Sequence, residues 1–320
     1  MKRTLKMYIF LCLSLLLFSI SAFAATTDDT AKPIDALRKT EGTTEPAQDA
    51  YYMDVLAQTS TPLINKMPNR TDNIILTCKM INETALIPGD TFSFNQIVGN
   101  RTRERGFKPA PTFVNGQVED SIGGGICQVS STLYYTCLLS NLEIVSRTSH
   151  SMSPDYLEQP GFDATVCWEA IDYKFKNNTN GPIKIFTWTD GSKVYVKIMG
   201  TKMNNNTVVM ESKILLVTPF KTIYRDNPNL ACGETKVVQP PFTGYEVETY
   251  RVITDERGEI ISRVLESKDS YKKMDKVIER SPYGSPTNTQ DTSIHPLMKS
   301  PSLILYLCLT PYPEYTAICR

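Results

Sequence analysis

A cysteine at position 127 lies two residues after a glycine triplet, in GGGICQVSSTLYY over residues 123–135. The residues after it repeat apolar side chains at helical spacing, with Val129, Leu133 and Cys137 on one side, so the pattern predicts an amphipathic helix that begins near Cys127. Backbone N–H groups at a glycine-rich helix start converge and can bind an anion. The positive end of the helix dipole also favours a thiolate, which lowers the pKa of a cysteine from its ordinary value of about 8.5. These residue types predict a thiol nucleophile beside an oxyanion site.

A thiol nucleophile needs a general base, and the chain contains only two histidines. His295 falls in a tail predicted to be irregular, so His150 is the candidate partner of Cys127. The separation between them fits a helix, a turn and a strand that returns along the helix. Asp155 and Asp163 are both candidates to orient the imidazole, and Asp163 is preferred because GFDATV predicts a strand beside that of His150.

Three further residues are candidate oxyanion donors, and one arginine is a candidate substrate ligand. Gly124, Gly125 and Gln128 surround the predicted helix start, while Arg101 lies in the basic segment GNRTRERGF and could bind a substrate carboxylate. The competing interpretations are a solvated basic loop and a Cys127 that is simply a small buried apolar residue.

The beginning of the sequence resembles an export signal. Residues 1–24 contain basic residues, an apolar run and small residues before a cleavage point after Ala24, which predicts a secretory signal peptide; an uncleaved membrane anchor is the alternative. Cleavage removes three basic residues and no acidic one, so the formal net charge falls from 0 to −3. Nothing in this balance suggests nucleic-acid binding.

The cysteine pattern of the exported chain argues against a structural metal. An odd number of cysteines remains after cleavage, which predicts at least one free thiol. They have no CxxC spacing, so we expect neither zinc nor another cofactor. Their positions are 78, 127, 137, 167, 232, 308 and 318.

Pattern and composition divide the chain after the signal peptide into four segments. Residues 25–56 predict a linker and residues 57–205 an α+β domain, in which helices from Asn69 and Cys127 precede a β-meander with turns at Asn180-Gly181 and Asp190-Gly191. Residues 214–280 predict a small all-β module, and residues 281–320 an irregular tail.

Three motifs in order, IPGDTFSFNQIVGNRTRERGF, GGGICQVSSTLYYTCL and SHSMSPDYLEQPGFDATV, make residues 57–200 resemble the VanW domain family. The resemblance implies an L,D-transpeptidase activity on peptidoglycan stem peptides, with Cys127 as nucleophile and His150 as base. Residues 214–280 resemble the G-five module associated with cell-wall sugars through Gly233, Gly244 and Gly258, although its closing glycine is absent near Arg280.

Three hypotheses about function remain open. The first is a wall-facing cysteine transpeptidase, or a related amidase or peptidase if water is the acceptor. The second is a noncatalytic peptidoglycan-binding or glycopeptide-resistance accessory protein. The third is a protein with a redox-active or intermolecularly disulfide-linked cysteine. We expect a secreted or wall-associated protein on the extracytoplasmic face of a Gram-positive-type bacterium, in contact with a membrane only if the N-terminal segment is uncleaved.

Overall fold

The computed structural model of the protein describes residues 51–114 and 117–283. The predicted signal peptide, most of the predicted linker, and the predicted tail beyond residue 283, including His295, lie outside the described residues.

Within these residues the chain forms three helices and fifteen strands, so it is mostly β-structure. The helices are α1 (Pro68–Ile81), α2 (Phe94–Val98) and α3 (Cys127–Leu139). The strands are β1 (Asp54–Pro62), β2 (Ala85–Leu86), β3 (Thr91–Ser93), β4 (Pro109–Val114), β5 (Gln117–Ile122), β6 (Glu143–Ser146), β7 (Lys174–Lys176), β8 (Ile183–Thr189), β9 (Lys193–Gly200), β10 (Thr207–Thr218), β11 (Thr222–Asp226), β12 (Thr235–Gln239), β13 (Gly244–Thr254), β14 (Ile260–Tyr271) and β15 (Lys276–Arg280).

The region from β1 to β9, here called the N-terminal region, contains two antiparallel sheets and a hairpin. The larger sheet has the order β1-β9-β8-β2, and the smaller has the order β3-β7-β6. Strands β4 and β5 form the separate hairpin that leads into the glycine triplet. Helix α3 packs against β1 and β9, and α1 packs against β8, so both helices lie on the larger sheet.

Helix α3 is buried on nearly all sides rather than amphipathic, which differs from the sequence prediction. Its polar residues are accommodated because their hydroxyls bond to carbonyls four residues earlier, as Thr132 does to Gln128 and Thr136 does to Thr132, both at 2.7 Å. Thr132 also bonds across to Thr61 on β1 at 2.8 Å. Helix α3, which begins at Cys127, is therefore anchored in the protein core.

The region from β10 to β15, here called the C-terminal β module, consists of two three-stranded sheets. The long strands β10, β13 and β14 pair antiparallel in the order β10-β13-β14. The second sheet has the order β11-β15-β12, in which β11 and β15 are parallel. This region has the small all-β character that the sequence predicts.

Several boundaries and pairings differ from the sequence prediction. The expected meander forms only in part: β8 and β9 pair as a hairpin across Asp190-Gly191, but β7 pairs with β3 and β6 instead of with β8. The segment containing Asp163 has no strand, and β6 ends at Ser146, so His150 lies in a loop. Strand β1 begins within the last residues of the predicted linker, and β10 begins at Thr207, ahead of the predicted residue 214.

No helix among residues 51–114 and 117–283 combines the length and apolar character that a membrane span requires.

Candidate active site

The middle glycine of the triplet allows close packing between the helix start and the β4–β5 hairpin. A Cβ atom at Gly124 would clash with the carbonyl oxygen of Ala110. The Gly124 carbonyl accepts a hydrogen bond from Asn73 Nδ2 at 3.0 Å, and the Gly124 N–H donates to the Ser121 carbonyl at 3.2 Å. Gly124 therefore fixes the loop, and its N–H is already used.

The outer glycines of the triplet make room for two arginines. Gly123 and Gly125 have φ values of 87° and 101°, which favour glycine. A Cβ atom at Gly123 would lie 3.0 Å from Cγ of Arg101, and one at Gly125 would lie 2.6 Å from Cγ of Arg70. The triplet thus lets two cationic side chains approach the first turn of α3.

Cys127 is the first residue of α3 and is half-buried. Its Sγ lies 3.7 Å from Thr165 Oγ1 and 3.6 Å from the carbonyl oxygen of Val166. Burial by itself would raise the pKa of Cys127, but hydrogen bonding to His150 and its positive charge outweigh burial and lower this pKa to about 7. A substantial fraction of the thiol is therefore ionised at neutral pH.

His150 lies between the thiol and a buried carboxylate. Its Nδ1 is 2.6 Å from Asp163 Oδ2, and its backbone N–H donates to the same oxygen at 2.6 Å. The imidazole is 22% exposed and the Asp163 side chain is fully buried. Burial alone would lower the pKa of His150, but the hydrogen bonds to Asp163 and Cys127 raise it to about 9. Between about pH 7 and 9, Cys127 and His150 therefore form a thiolate–imidazolium pair.

The second oxygen of Asp163 has its own partners. Oδ1 accepts a hydrogen bond from Arg147 Nη2 at 3.1 Å and from the Tyr271 hydroxyl at 2.5 Å. Burial would raise the pKa of Asp163, yet bonding to His150 and the charges of His150 and Arg147 hold it below its ordinary value. Asp163 is therefore ionised and can orient the imidazole.

Two serines in the first turns of α3 hold the segment that carries Asp163. Ser130 Oγ donates to the Ala164 carbonyl at 2.6 Å, and the Ala164 N–H donates to Ser131 Oγ at 3.1 Å. The Thr165 N–H donates to the Thr148 carbonyl at 2.8 Å, which joins this segment to the loop of His150. The helix bearing Cys127 therefore holds the backbone of the segment that carries the carboxylate.

Two backbone donors at the helix start are available to an oxyanion. Within the described part of the chain, the N–H groups of Gly125 and Cys127 have no hydrogen-bond acceptor, and no side chain caps α3. The side chain of Gln128 does not fit its expected role, because its Nε2 donates to Thr61 and Pro62 while its Oε1 accepts from Arg70 at 2.8 Å. Gly125 and Cys127 are therefore the backbone donors at this helix start that remain available.

Arg101 is a buried cation without a hydrogen-bond partner. Its side chain lies near the rings of Phe94 and Trp168, with the guanidinium carbon 5.7 and 5.9 Å from their centroids. The residue is only 9% exposed, and within the described residues none of its guanidinium nitrogens has a partner. Burial lowers the pKa of Arg101, while the nearby Cys127 acts to raise it. An unpaired buried cation beside a thiolate suggests a site for an anionic group.

The other described thiols outside the C-terminal β module differ from Cys127. Cys78 and Cys137 are buried in the core, and burial raises the pKa of Cys78 to about 12 and that of Cys137 further. Cys167 is exposed and has no disulfide. Over residues 51–114 and 117–283, no group of three or more His, Cys, Asp or Glu side chains is arranged to hold a metal ion.

The structure brings together Cys127, His150 and Asp163, while Asp155 makes no hydrogen bond to the imidazole. Sequence reasoning missed the residues that support them. Arg147 lies only three positions before His150, and its charge in VSRTSH was the one local signal. Tyr271 is 108 residues from Asp163, and nothing in the sequence pattern pointed to it.

Comparison with known proteins identifies two domains. The family described as VanW like protein matches residues 69–199, and the G5 domain matches residues 205–281. Among curated relatives, Bacillus subtilis (strain 168) YoaR, described as uncharacterized, is 41% identical over 151 residues, which cover 47% of this chain and 50% of YoaR. The Vancomycin B-type resistance protein VanW of Enterococcus faecalis (strain ATCC 700802 / V583) is 31% identical over 138 residues, which cover 42% of this chain and 50% of that protein.

The chain thus spans about half the length of the curated relatives it matches. Among solved structures, the G5 domain of IgA1 protease is 21% identical and aligns with a TM-score of 0.17, over 26% of this chain and 99% of that one. By the two family matches, the N-terminal region is a VanW-family domain, which contains Cys127, His150 and Asp163, here called the cysteine cluster, and the C-terminal β module is a G5 domain.

Proposed function

We propose that this protein is a cell-wall enzyme, a cysteine-dependent acyltransferase of the L,D-transpeptidase type that acts on peptidoglycan stem peptides. The observation that carries the proposal is the Cys127–His150–Asp163 arrangement at an uncapped helix start. The VanW-family and G5 domains support a cell-wall-related role, and one relative is named a vancomycin resistance protein. The activity, substrate and location of the whole protein are parts of this proposal.

The first half-reaction forms a thioester. The Cys127 thiolate attacks the carbonyl carbon of a stem-peptide amide, and a carbon–sulfur bond forms. The N–H groups of Cys127 and Gly125 bind the resulting oxyanion at the positive end of α3. The imidazolium of His150 gives its proton to the departing amine as the carbon–nitrogen bond breaks. The product is an acyl-enzyme and a free amine, and His150 is left neutral.

The second half-reaction releases the acyl group. An acceptor amine attacks the thioester carbonyl, and neutral His150 takes the proton that the amine loses. The carbon–sulfur bond then breaks and restores the thiolate and the imidazolium, with Asp163 stabilising the charged ring throughout. With water as the acceptor, the same steps make the protein an amidase or peptidase.

A noncatalytic role is the second candidate, and Arg101 is the observation that favours it. An unpartnered, buried guanidinium beside a helix start could bind the carboxylate of a stem peptide without any bond exchange. In that case the cysteine would contribute shape and charge to a peptidoglycan-binding site. In the enzyme, the same arginine would bind a substrate carboxylate near the thiolate.

Intact-protein mass spectrometry after incubation with tetrapeptide muropeptides tests the proposal. Wild type should gain the mass of the acyl donor minus its leaving amine, and Cys127→Ala should gain nothing. Cys167→Ala is the matched control, because it removes an exposed thiol outside the cluster and should keep the adduct. If wild type forms no adduct and Cys127→Ser still binds the muropeptides, the noncatalytic binding role would replace the enzymatic one.

A further inference from the structure

The G5 domain contributes a side chain to the cysteine cluster of the VanW-family domain. Tyr271, at the end of β14, is 3% exposed and donates its hydroxyl proton to Asp163 Oδ1 at 2.5 Å. The same hydroxyl accepts a hydrogen bond from the Gly161 N–H at 2.9 Å. Tyr271 therefore holds both the carboxylate and the backbone two residues before it.

A second tether from the same strand acts through Arg147. Its Nη1 lies 2.5 Å from Asp269 Oδ1 on β14, and its Nε donates to the Asp163 carbonyl at 2.6 Å. The Lys272 N–H donates to the Ser151 carbonyl at 2.7 Å, one residue after His150. The end of β14 thus contacts both loops that carry the imidazole and the carboxylate.

These contacts matter because Asp163 is a fully buried carboxylate. A buried charge is stable only when its oxygens are hydrogen-bonded. His150 occupies Oδ2, so Oδ1 depends on Tyr271 and on the longer bond from Arg147. Burial raises the pKa of Tyr271 well above its ordinary value, which keeps the hydroxyl protonated and able to donate.

We propose that Tyr271 is a positioning residue that fixes the Asp163 carboxylate against His150, so that the cysteine site is completed across the VanW-family and G5 domains. The inference rests on the proposed function for its catalytic meaning. Its structural content does not depend on which acyl group is transferred. A VanW-family domain without a docked G5 domain would hold its imidazole and its thiolate poorly.

Several other titratable and charged groups face the His150–Asp163 pair and could influence its protonation. They come from α3, from the loops on either side of His150 and from β14. They are Cys127, Tyr134, Arg147, Tyr156 and Asp269.

The test is an NMR titration of the His150 imidazole in the whole protein, with the only other histidine, His295, as internal reference. Wild type should titrate near pH 9. Tyr271→Phe should titrate at least about one pH unit lower, because a loosened carboxylate supports the imidazolium less well. Tyr250→Phe is the matched control, since it removes a 2.6 Å hydroxyl–carboxylate bond to Glu248 in the same domain and should leave the midpoint unchanged.

Asp269→Asn is the second variant and weakens the Arg147 tether instead, so it should lower the midpoint in the same direction. Circular dichroism establishes that each variant is folded. An unchanged or higher His150 midpoint in folded Tyr271→Phe would overturn the positioning role, because this variant changes no charge. A wild-type midpoint near the ordinary value for histidine would also overturn it. A wild type that titrates near pH 9 but forms no acyl adduct would instead refute the proposed function and leave Tyr271's role standing.

Discussion

The state of the Cys127 thiol is the most direct consequence of the site geometry, and replacing His150 by glutamine tests it. In wild type the pKa of about 7 makes roughly half of the thiol a thiolate at pH 7. Without the imidazolium, burial outweighs the smaller effects of the Val166 and Thr165 hydrogen bonds, and this pKa should return to the ordinary value of about 8.5 or above. The thiolate fraction at pH 7 then falls to about 3% or less, a loss of at least about fifteenfold.

The pH midpoint of alkylation by iodoacetamide measures this change better than a rate at one pH. A thiolate of higher pKa is intrinsically more nucleophilic, so the rate at pH 7 should fall only several-fold. The midpoint should move from about pH 7 to about pH 8.5 or above, as followed by peptide mass spectrometry of the Cys127 peptide. The buried Cys78, whose pKa burial raises to about 12, should remain unlabelled in the folded protein.

The control for this experiment is the same substitution at the other histidine, His295→Gln, which should leave the midpoint at its wild-type value. If His150→Gln keeps the wild-type midpoint, the imidazolium does not stabilise the thiolate. The account of Cys127 as an activated nucleophile would then be wrong.

Three further predictions follow from the same geometry. Acyl transfer should show a bell-shaped pH dependence, rising through about pH 7 as the thiolate forms and falling through about pH 9 as the imidazolium is lost; a profile flat from pH 6 to 10 would contradict the ion pair. Gly124→Ala should lower the free energy of unfolding, measured by urea denaturation, by about 1–3 kcal/mol, because its Cβ meets the Ala110 carbonyl, whereas no loss would mean that the loop can move aside. Arg101→Met should raise KM for a carboxylate-bearing substrate about tenfold or more, which steady-state kinetics measures, and an unchanged KM would remove Arg101 from the substrate site. The same change should not lower the free energy of unfolding in urea, because it removes a buried cation that has no hydrogen-bond partner.

Local sequence pattern predicted the helices that carry the site, while the pairing of strands needed the structure. The glycine triplet and the apolar spacing after it placed a helix start at Cys127, and α3 begins there. The predicted β8–β9 hairpin forms, but the predicted pairing of β7 with β8 was wrong, because alternation and turn dipeptides show that a strand forms but not which sheet it joins. Strand β7 instead pairs with β3 and β6, which lie far from it along the chain.

The candidate site shows the same division between local and distant information. His150 could be chosen because histidine is so scarce in this chain. Asp163 was preferred to Asp155 because a strand was expected at GFDATV, and the structure places Asp163 beside His150 although no strand forms there. The partners of Asp163 could not be chosen in this way, since many tyrosines and arginines are present and Tyr271 is 108 residues away. Gln128 was misjudged because an amide near a helix start looks available until its three partners are known.

The bond between Tyr271 and Asp163 has a consequence for the timing of biosynthesis. The nucleophile, the base and the carboxylate are all translated before the tyrosine, which follows Asp163 by 108 residues. On the positioning role proposed for Tyr271, a nascent chain that has folded only its first domain lacks the hydrogen bond that fixes Asp163 against His150. The complete arrangement of Cys127, His150 and Asp163 therefore forms only after the second domain folds onto the first.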